Sequence, residues 1–165
     1  MIEIERKFLV KGDFLPFVSK TEKIVQAYLL AEPEKTVRIR IKGDSAYLTV
    51  KGEANANGFS RLEFEYPIPV EDAQKMLALT ATGRIEKERN YVLFGDHLFE
   101  VDVFHGKHEG LIIAELELES EDEAFEKPEW LGEEVTGDER YYNAYLANQI
   151  AHNSVGNENT GACQS

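Results

Sequence analysis

Val37-Arg38-Ile39-Arg40-Ile41-Lys42 alternates without a break between an apolar and a cationic side chain. In an extended strand, residues i, i+2 and i+4 share one face. The stretch therefore reads as a strand, Thr36–Lys42, with one aliphatic and one basic face. It runs into Gly43-Asp44, a pair suited to a tight hairpin turn. The chain resumes as Ser45–Lys51, with Thr49 and Lys51 in phase against Leu48 and Val50.

The same period of two governs most of the chain. Met1–Val10 sets Glu3, Glu5 and Lys7 against Ile2, Ile4 and Phe8. Gly58–Tyr66 sets Arg61, Glu63 and Glu65 against Leu62, Phe64 and Tyr66. Ile85–Leu93 carries Lys87 and Arg89, and Leu98–Phe104 sets Glu100 and Asp102 against Phe99, Val101 and Val103. Leu111–Ser120 sets Glu115 and Glu117 against Ala114, Leu116 and Leu118. Lys23–Leu30 completes eight predicted strands, with further connectors at Gly95-Asp96 and His105–Gly110. Helical spacing is confined to Val70–Leu79, a turn at Asp13–Val18, a helix begun at Glu121–Phe125, and Tyr141–His152. The expectation is a mainly β fold with a few helices (α+β), built on a closed eight-stranded antiparallel barrel. Closure removes exposed strand edges.

The chain has 165 residues, enough for one domain with a real core. That domain is expected to occupy residues 1–152, with 153–165, rich in Asn, Gly and Ser, as a disordered tail. There is no apolar run long enough for a membrane span, and the first residues lack a signal-peptide core. The single cysteine, Cys163, has no partner for a disulfide. A cytoplasmic location follows as the expectation. The formal charge of −13 disfavours nucleic acid and anionic membranes as partners. An anionic ligand would have to enter a local basic site.

The in-phase charges supply one. The shared face carries eight acids (Glu3, Glu5, Glu63, Glu65, Glu100, Asp102, Glu115, Glu117) and eight bases (Lys7, Arg38, Arg40, Lys42, Lys51, Arg61, Lys87, Arg89). The whole excess of −13 then lies elsewhere. A charged strand face is commonly the solvated outside of a sheet, and that alternative stands beside the other. Two features favour the interior. Few helices are available to cover the apolar faces, and the charges pair as Arg-x-Arg, Glu-x-Glu and Glu-x-Asp. Carboxylates two apart offer oxygen ligands to a divalent cation, and arginines offer forked donors to phosphate. Buried charges are costly unless compensated, hydrated or met by ligand. A polyphosphate with Mg²⁺ or Mn²⁺ would satisfy both sets. No glycine-rich Walker-type loop is present.

The N-terminal Glu3-Ile4-Glu5-Arg6-Lys7 resembles the Glu-x-Glu-x-Lys signature of the CYTH superfamily, the triphosphate tunnel metalloenzymes. The ordered series Arg38-Ile39-Arg40, Thr49-Val50-Lys51, Arg61-Leu62-Glu63-Phe64-Glu65, Glu86-Lys87-Glu88-Arg89, Glu100-Val101-Asp102 and Ala114-Glu115-Leu116-Glu117-Leu118 strengthens the match. Trp130–Thr136 and Tyr141-Tyr142-Asn143 resemble the short bacterial members. The resemblance implies an eight-stranded tunnel and hydrolysis of a triphosphate-containing small molecule, inorganic triphosphate first. Thiamine or nucleoside triphosphates, class IV-type adenylate cyclisation, and polyphosphate binding without turnover stand behind it as alternatives.

By matching positions, Lys7, Arg38, Arg40, Lys51, Arg61, Lys87 and Arg89 would cradle phosphates. Glu115 and Glu117, with Asp102, would hold one Mg²⁺ or Mn²⁺ ion, and Glu3 and Glu5 a second or the attacking water. Glu63 and Glu65 would position water or the bases. The expected catalytic set is therefore Glu3, Glu5, Lys7, Glu63, Glu65 and Lys87. Tyr28 reads either as an interior residue or as a barrel-wall aromatic. Thr136, Tyr141 and Asn143 read as structural, with the following helix plugging or bordering a tunnel mouth. His97, His105, His108 and His152 read as turn or surface residues. Monomer and homodimer are both open.

Overall fold

The computed structural model describes residues 2–148. Nine strands form in chain order: β1 Ile2–Val10, β2 Val18–Glu32, β3 Lys35–Lys42, β4 Ser45–Gly52, β5 Ser60–Ile68, β6 Ile85–Phe94, β7 His97–Phe104, β8 Ile112–Glu117 and β9 Leu131–Glu134. One α-helix, α1, spans Val70–Met76, and a 3₁₀ turn at Leu77–Leu79 extends it. The alternating residues extend because β-branched and aromatic side chains pack well on a pleated surface.

The strands follow the order β5-β4-β3-β2-β6-β7-β8-β1-β9, and β5 also pairs with β1. That extra pairing closes an eight-stranded antiparallel barrel, as expected. It rests on Ile2↔Leu62, Glu3↔Arg61 and Ile4↔Ser60. β1 is divided along its length: its first residues pair with β5, and Glu5–Leu9 pair with β8.

The apolar faces point outward and are covered from outside. Over β2, β3 and β4, α1 and the turn after it lay Ala73 and Leu77 on Ala27, Ile39 and Ala46. Over β1, β6, β7 and β8, Phe14, Leu118, Trp130 and Leu131 pack on Phe8, Val92, Phe99, Val101, Ala114 and Leu116. The Trp130 ring meets Phe99 edge-on with centroids 5.5 Å apart. Phe125 stands edge-on to Phe8 at 5.8 Å.

Two expectations need correction. The helix begun at Glu121–Phe125 does not form; the segment crosses the barrel wall in irregular conformation. Its carboxylates are drawn away from helical partners. Glu123 accepts from the Glu119 backbone N–H at 2.7 Å, and Glu121 accepts from Asn55 and Asn57 at 2.7 and 2.6 Å. Tertiary contacts of this kind override a weak local propensity. Strand β9 was not anticipated: its four residues include Gly132 and show no clean alternation. A Cβ at position 132 would stand 2.8 Å from the Leu9 carbonyl oxygen, so glycine lets the two strands approach.

The inward phase also carries apolar residues at one end. Tyr28, Ile85, Phe104 and Ile113 face inward there and pack on Leu146 and Ala147. Residues 143–148 are helical and close that side of the barrel, as the sequence suggested; the rest of the expected helix to His152, and the tail, lie outside the described residues. No helix among the described residues is long and apolar enough to cross a membrane.

Trp130 is 4% exposed and joins the outer cover to the barrel. Trp130→Ala should cost about 3–5 kcal/mol, from lost burial plus the cavity left behind. Urea unfolding would measure this, and a loss below about 1 kcal/mol would show that the outer cover does not stabilise the wall.

Candidate active site

The barrel encloses a cavity of about 860 Å³. Of the sixteen in-phase charges, all but Lys87 and Asp102 line it; those two lie just behind its surface, fully buried. The charged face is therefore the inside of the barrel. Glu65 and Glu117 are its most open members.

Strand order sorts the charges. β7, β8, β1 and β5 are consecutive around the ring and carry all eight acids. β3 and β6 flank β2 on the opposite side and carry Arg38, Arg40, Lys42, Lys87 and Arg89. Lys7 and Arg61 stand within the acidic arc, and Lys51 stands on β4 beside it.

On the basic wall, Arg89 makes a two-pronged contact with Asp102, both bonds 2.8 Å. It also reaches Glu115 at 3.3 Å and Glu100 at 3.2 Å. Lys87 Nζ lies 2.6 Å from Asp102. Asp102 thus has both oxygens engaged by bases. Burial would raise its pKa, but Arg89 and Lys87 overcome that and hold it below the ordinary value. Burial pushes Lys87 down to about 7 despite Asp102. Arg38 donates to Thr49 at 3.2 Å and reaches Glu65 at 3.5 Å, while its buried Nε has no acceptor. A buried donor left unpaired costs roughly 1–3 kcal/mol, and among the described residues none accepts from this atom.

On the acidic arc, like charges stand directly opposite one another. Glu5 faces Glu117 across β1 and β8, and Glu115 faces Glu100 across β8 and β7. Such pairs destabilise a sheet unless something neutralises them. Glu115 is partly served, by Lys7 at 3.6 Å and Arg89 at 3.3 Å. Burial opposes its ionisation, but Lys7, Arg89, Lys87 and Lys51 win and hold it far below the usual carboxylate range. Glu3 is paired with Lys51 at 2.8 Å. Among the described residues, Glu5 and Glu117 have no ion-pair partner. Burial, with Glu115 and Glu3 nearby, raises Glu5 to about 8. Burial likewise raises Glu63, Glu100 and Glu117, with neighbouring carboxylates adding to it.

No three acids or histidines among the described residues converge on one point as they stand. The donor chemistry nevertheless fits a hard divalent cation: several oxygen donors, no thiolate, and two carboxyl groups, Glu5 and Glu117, that pair with no base among the described residues.

Sequence reasoning passed over several contributors. Thr49 accepts from Arg38 and donates to Glu65 at 3.0 Å. Gln26, fully buried, accepts from Arg40 at 2.7 Å. The segment read as structural also enters: the Tyr141 carbonyl accepts from Lys7 at 3.2 Å, and the Tyr142 ring lies 5.0 Å from Arg61 and 5.4 Å from Lys7. Asn143 accepts from Lys87 at 2.8 Å. Gln26 and Thr49 were visible as in-phase polar residues; the reach of Tyr141–Asn143 was not, because it depends on how the terminal segment folds back. Tyr28 is buried at the apolar end and borders the cavity. Among the described residues His105 pairs with Glu88 and Glu109, and His108 Nε2 donates to the Leu146 carbonyl, so neither joins a metal cluster.

A closed barrel whose cavity sets a wall of bases against an arc of surplus acids defines a receptor for a multiply charged anion accompanied by cations. The CYTH domain model matches residues 1–149, and the chain belongs to that family. It is 47% identical over 145 residues to an inorganic triphosphatase of Acetivibrio thermocellus, covering 87% of this chain and 92% of the relative. It is 40% identical over 154 residues to an inorganic triphosphatase of Nitrosomonas europaea, covering 91% and 99%. The solved structure of the inorganic triphosphatase NE1496 shares 38% identity at a TM-score of 0.63, covering 88% of this chain and 93% of that one.

The Glu5 environment predicts an unusual pH dependence of stability. The folded protein keeps a proton on Glu5 up to about pH 8, whereas an ordinary glutamate loses it near 4.5. The folded state therefore binds more protons in this window, and stability falls as pH rises through it. The lowered groups, Glu3, Asp102 and Glu115, act only below it. In chelator, the melting temperature should drop between pH 5 and 7, before Lys87, pushed down to about 7, begins to act with the opposite sign, and Glu5→Gln should lessen the drop. Excess Mg²⁺ should restore stability at pH 8 by binding the folded state. A wild-type melting temperature that rises over this range in chelator would contradict the assignment.

Proposed function

We propose that this chain hydrolyses inorganic triphosphate to pyrophosphate and orthophosphate with the help of Mg²⁺ or Mn²⁺, two ions in all. The observation that carries the reading is one cavity in which a wall of bases, with the Arg38 Nε unpartnered among the described residues, faces acids of which Glu5 and Glu117 have no base paired to them. An extended polyphosphate with its cations supplies what each side lacks. The two relatives named inorganic triphosphatases support the choice of substrate.

In this reading Arg38, Arg40, Lys87 and Arg89 hold the phosphate oxygens from one side, and Lys7, Lys51 and Arg61 from the other. Their charge is fixed in place before the substrate enters, so it stabilises charge spread over the transferring phosphoryl and leaving group. Glu3, Glu5, Glu115 and Glu117 are the residues that would hold divalent cations. Asp102 is better assigned to holding Arg89 and Lys87, which already occupy its oxygens. A divalent cation at the acidic arc would neutralise phosphate oxygens and acidify a neighbouring water. Glu63 and Glu65 orient Lys51 and Arg38 and border the path of that water. In the balanced reaction, water oxygen bonds to a terminal phosphorus, the anhydride P–O bond breaks, and the bridging oxygen leaves on pyrophosphate. The two relatives named inorganic triphosphatases favour hydrolysis over ATP cyclisation.

The test is a panel of triphosphate, longer polyphosphate, thiamine triphosphate and ATP, each with Mg²⁺, Mn²⁺ or chelator. Triphosphate should give the fastest phosphate release, with none in chelator; cyclic AMP from ATP as the leading product would overturn the reading. Glu115→Gln with Glu117→Gln should abolish turnover in a folded protein. Arg38→Ala should weaken triphosphate binding roughly tenfold to hundredfold, the equivalent of one charge-assisted hydrogen bond. Full turnover in the folded double variant would place the metal site on other strands.

A further inference from the structure

The C-terminal segment reaches into the cavity through one amide. Lys87 Nζ donates to Asn143 Oδ1 at 2.8 Å, and Gln26 Nε2 donates to the same oxygen at 3.0 Å. Gln26 Oε1 accepts in turn from Arg40 Nε at 2.7 Å. The polarity of this chain is forced. Lysine and arginine can only donate, so the Gln26 oxygen must face Arg40 and the Asn143 oxygen must face Lys87. The Gln26 nitrogen is then left to point at Asn143. Lys87, Gln26 and Arg40 are all buried, and Asn143 borders the cavity. Two bases on different strands are thus tied to one side chain from the closing segment.

Neutral acceptors suit this task. A carboxylate here would cancel charge that a phosphate chain needs, as Asp102 does for Arg89. An amide holds an ammonium or guanidinium in direction without cancelling charge: it leaves Arg40 its full charge and adds nothing to the Asp102 contact that Lys87 already makes. Arginine has five donors and lysine three: Arg40 gives one to Gln26, and Lys87, just behind the cavity surface, gives one each to Asp102 and Asn143 and has one more to turn toward a phosphate. We propose that Asn143, acting with Gln26, is a positioning residue that aims Lys87 and Arg40 at the substrate phosphates. The proposal rests on the triphosphate reading of the same cavity. It assigns the segment after Tyr141 a part in substrate affinity as well as in closing the barrel.

Asn143→Leu keeps the branching and number of side-chain heavy atoms and removes the acceptor. With Mg²⁺ and triphosphate, KM should rise about tenfold while kcat stays within about threefold, since the bases remain present but are less well aimed. The melting temperature should fall by several degrees, because buried Gln26 Nε2 loses its acceptor, but the variant should remain folded at the assay temperature. Asn143→Ala, a smaller change at the same position, should give the same split and keeps the test open if leucine disturbs folding. In a Lys87→Met background, Asn143→Leu should cost less than it does alone, because the two share one interaction. An unchanged KM in both Asn143 variants, or full additivity with Lys87→Met, would overturn the positioning role. A wild type that neither binds triphosphate by calorimetry nor hydrolyses it would instead overturn the functional reading, and the positioning role with it.

Discussion

Carboxylates facing carboxylates across hydrogen-bonded strands are the constraint on which the site depends. Glu5 stands opposite Glu117 and Glu115 opposite Glu100, so β8 meets like charge on both of its neighbours. A sheet built this way is unfavourable in isolation. It persists because the rest of the barrel is stable without it and because bases reach across to part of the acid set. Lys7 and Arg89 serve Glu115, and Lys51 serves Glu3. Glu5 and Glu117 are left over, and that remainder is what gives the cavity its demand for cations.

The barrel turns the usual arrangement of a β-sheet inside out. Its apolar faces look outward, so most of their cover has to come from elements laid on the exterior: α1 over β2 to β4, and the 118–131 segment with Trp130 over β1 and β6 to β8. Cover is incomplete over β5, where Leu62, Phe64 and Tyr66 remain exposed beside Ile2. Inside, the apolar residues Tyr28, Ile85, Phe104 and Ile113 gather at one end against the helical residues 143–148. The charged stretch of the cavity is thereby bounded by a dry end, which raises the strength of every charge interaction near it.

Much of this was legible in the sequence, because a period of two encodes both the strands and their two faces. Arg38-Ile39-Arg40 and Glu115-Leu116-Glu117 each fix a strand, its orientation and a piece of the site at once. What alternation cannot encode is which strands are neighbours. The separation of acids from bases follows from ring order, with β1 between β5 and β8, and no local pattern contains it. Short or irregular pieces were also hidden. β9 has four residues, and the Glu121–Phe125 stretch has helical composition but is pulled straight by Asn55, Asn57 and Phe8. Asn143 looked structural because its role appears only once the terminal segment has folded across Lys87 and Gln26.

The central claim is that the interior of the barrel, and not its surface, receives the phosphate chain between two walls of opposite charge. A crystal structure with triphosphate and a divalent cation, using Glu115→Gln to slow turnover, tests it most directly. The account predicts phosphate oxygens against Arg38, Arg40, Lys87 and Arg89, with Arg38 Nε gaining an acceptor, and cation density toward Glu3, Glu5 and Glu117. Triphosphate bound on the outer surface, with the cavity holding only water, would contradict it.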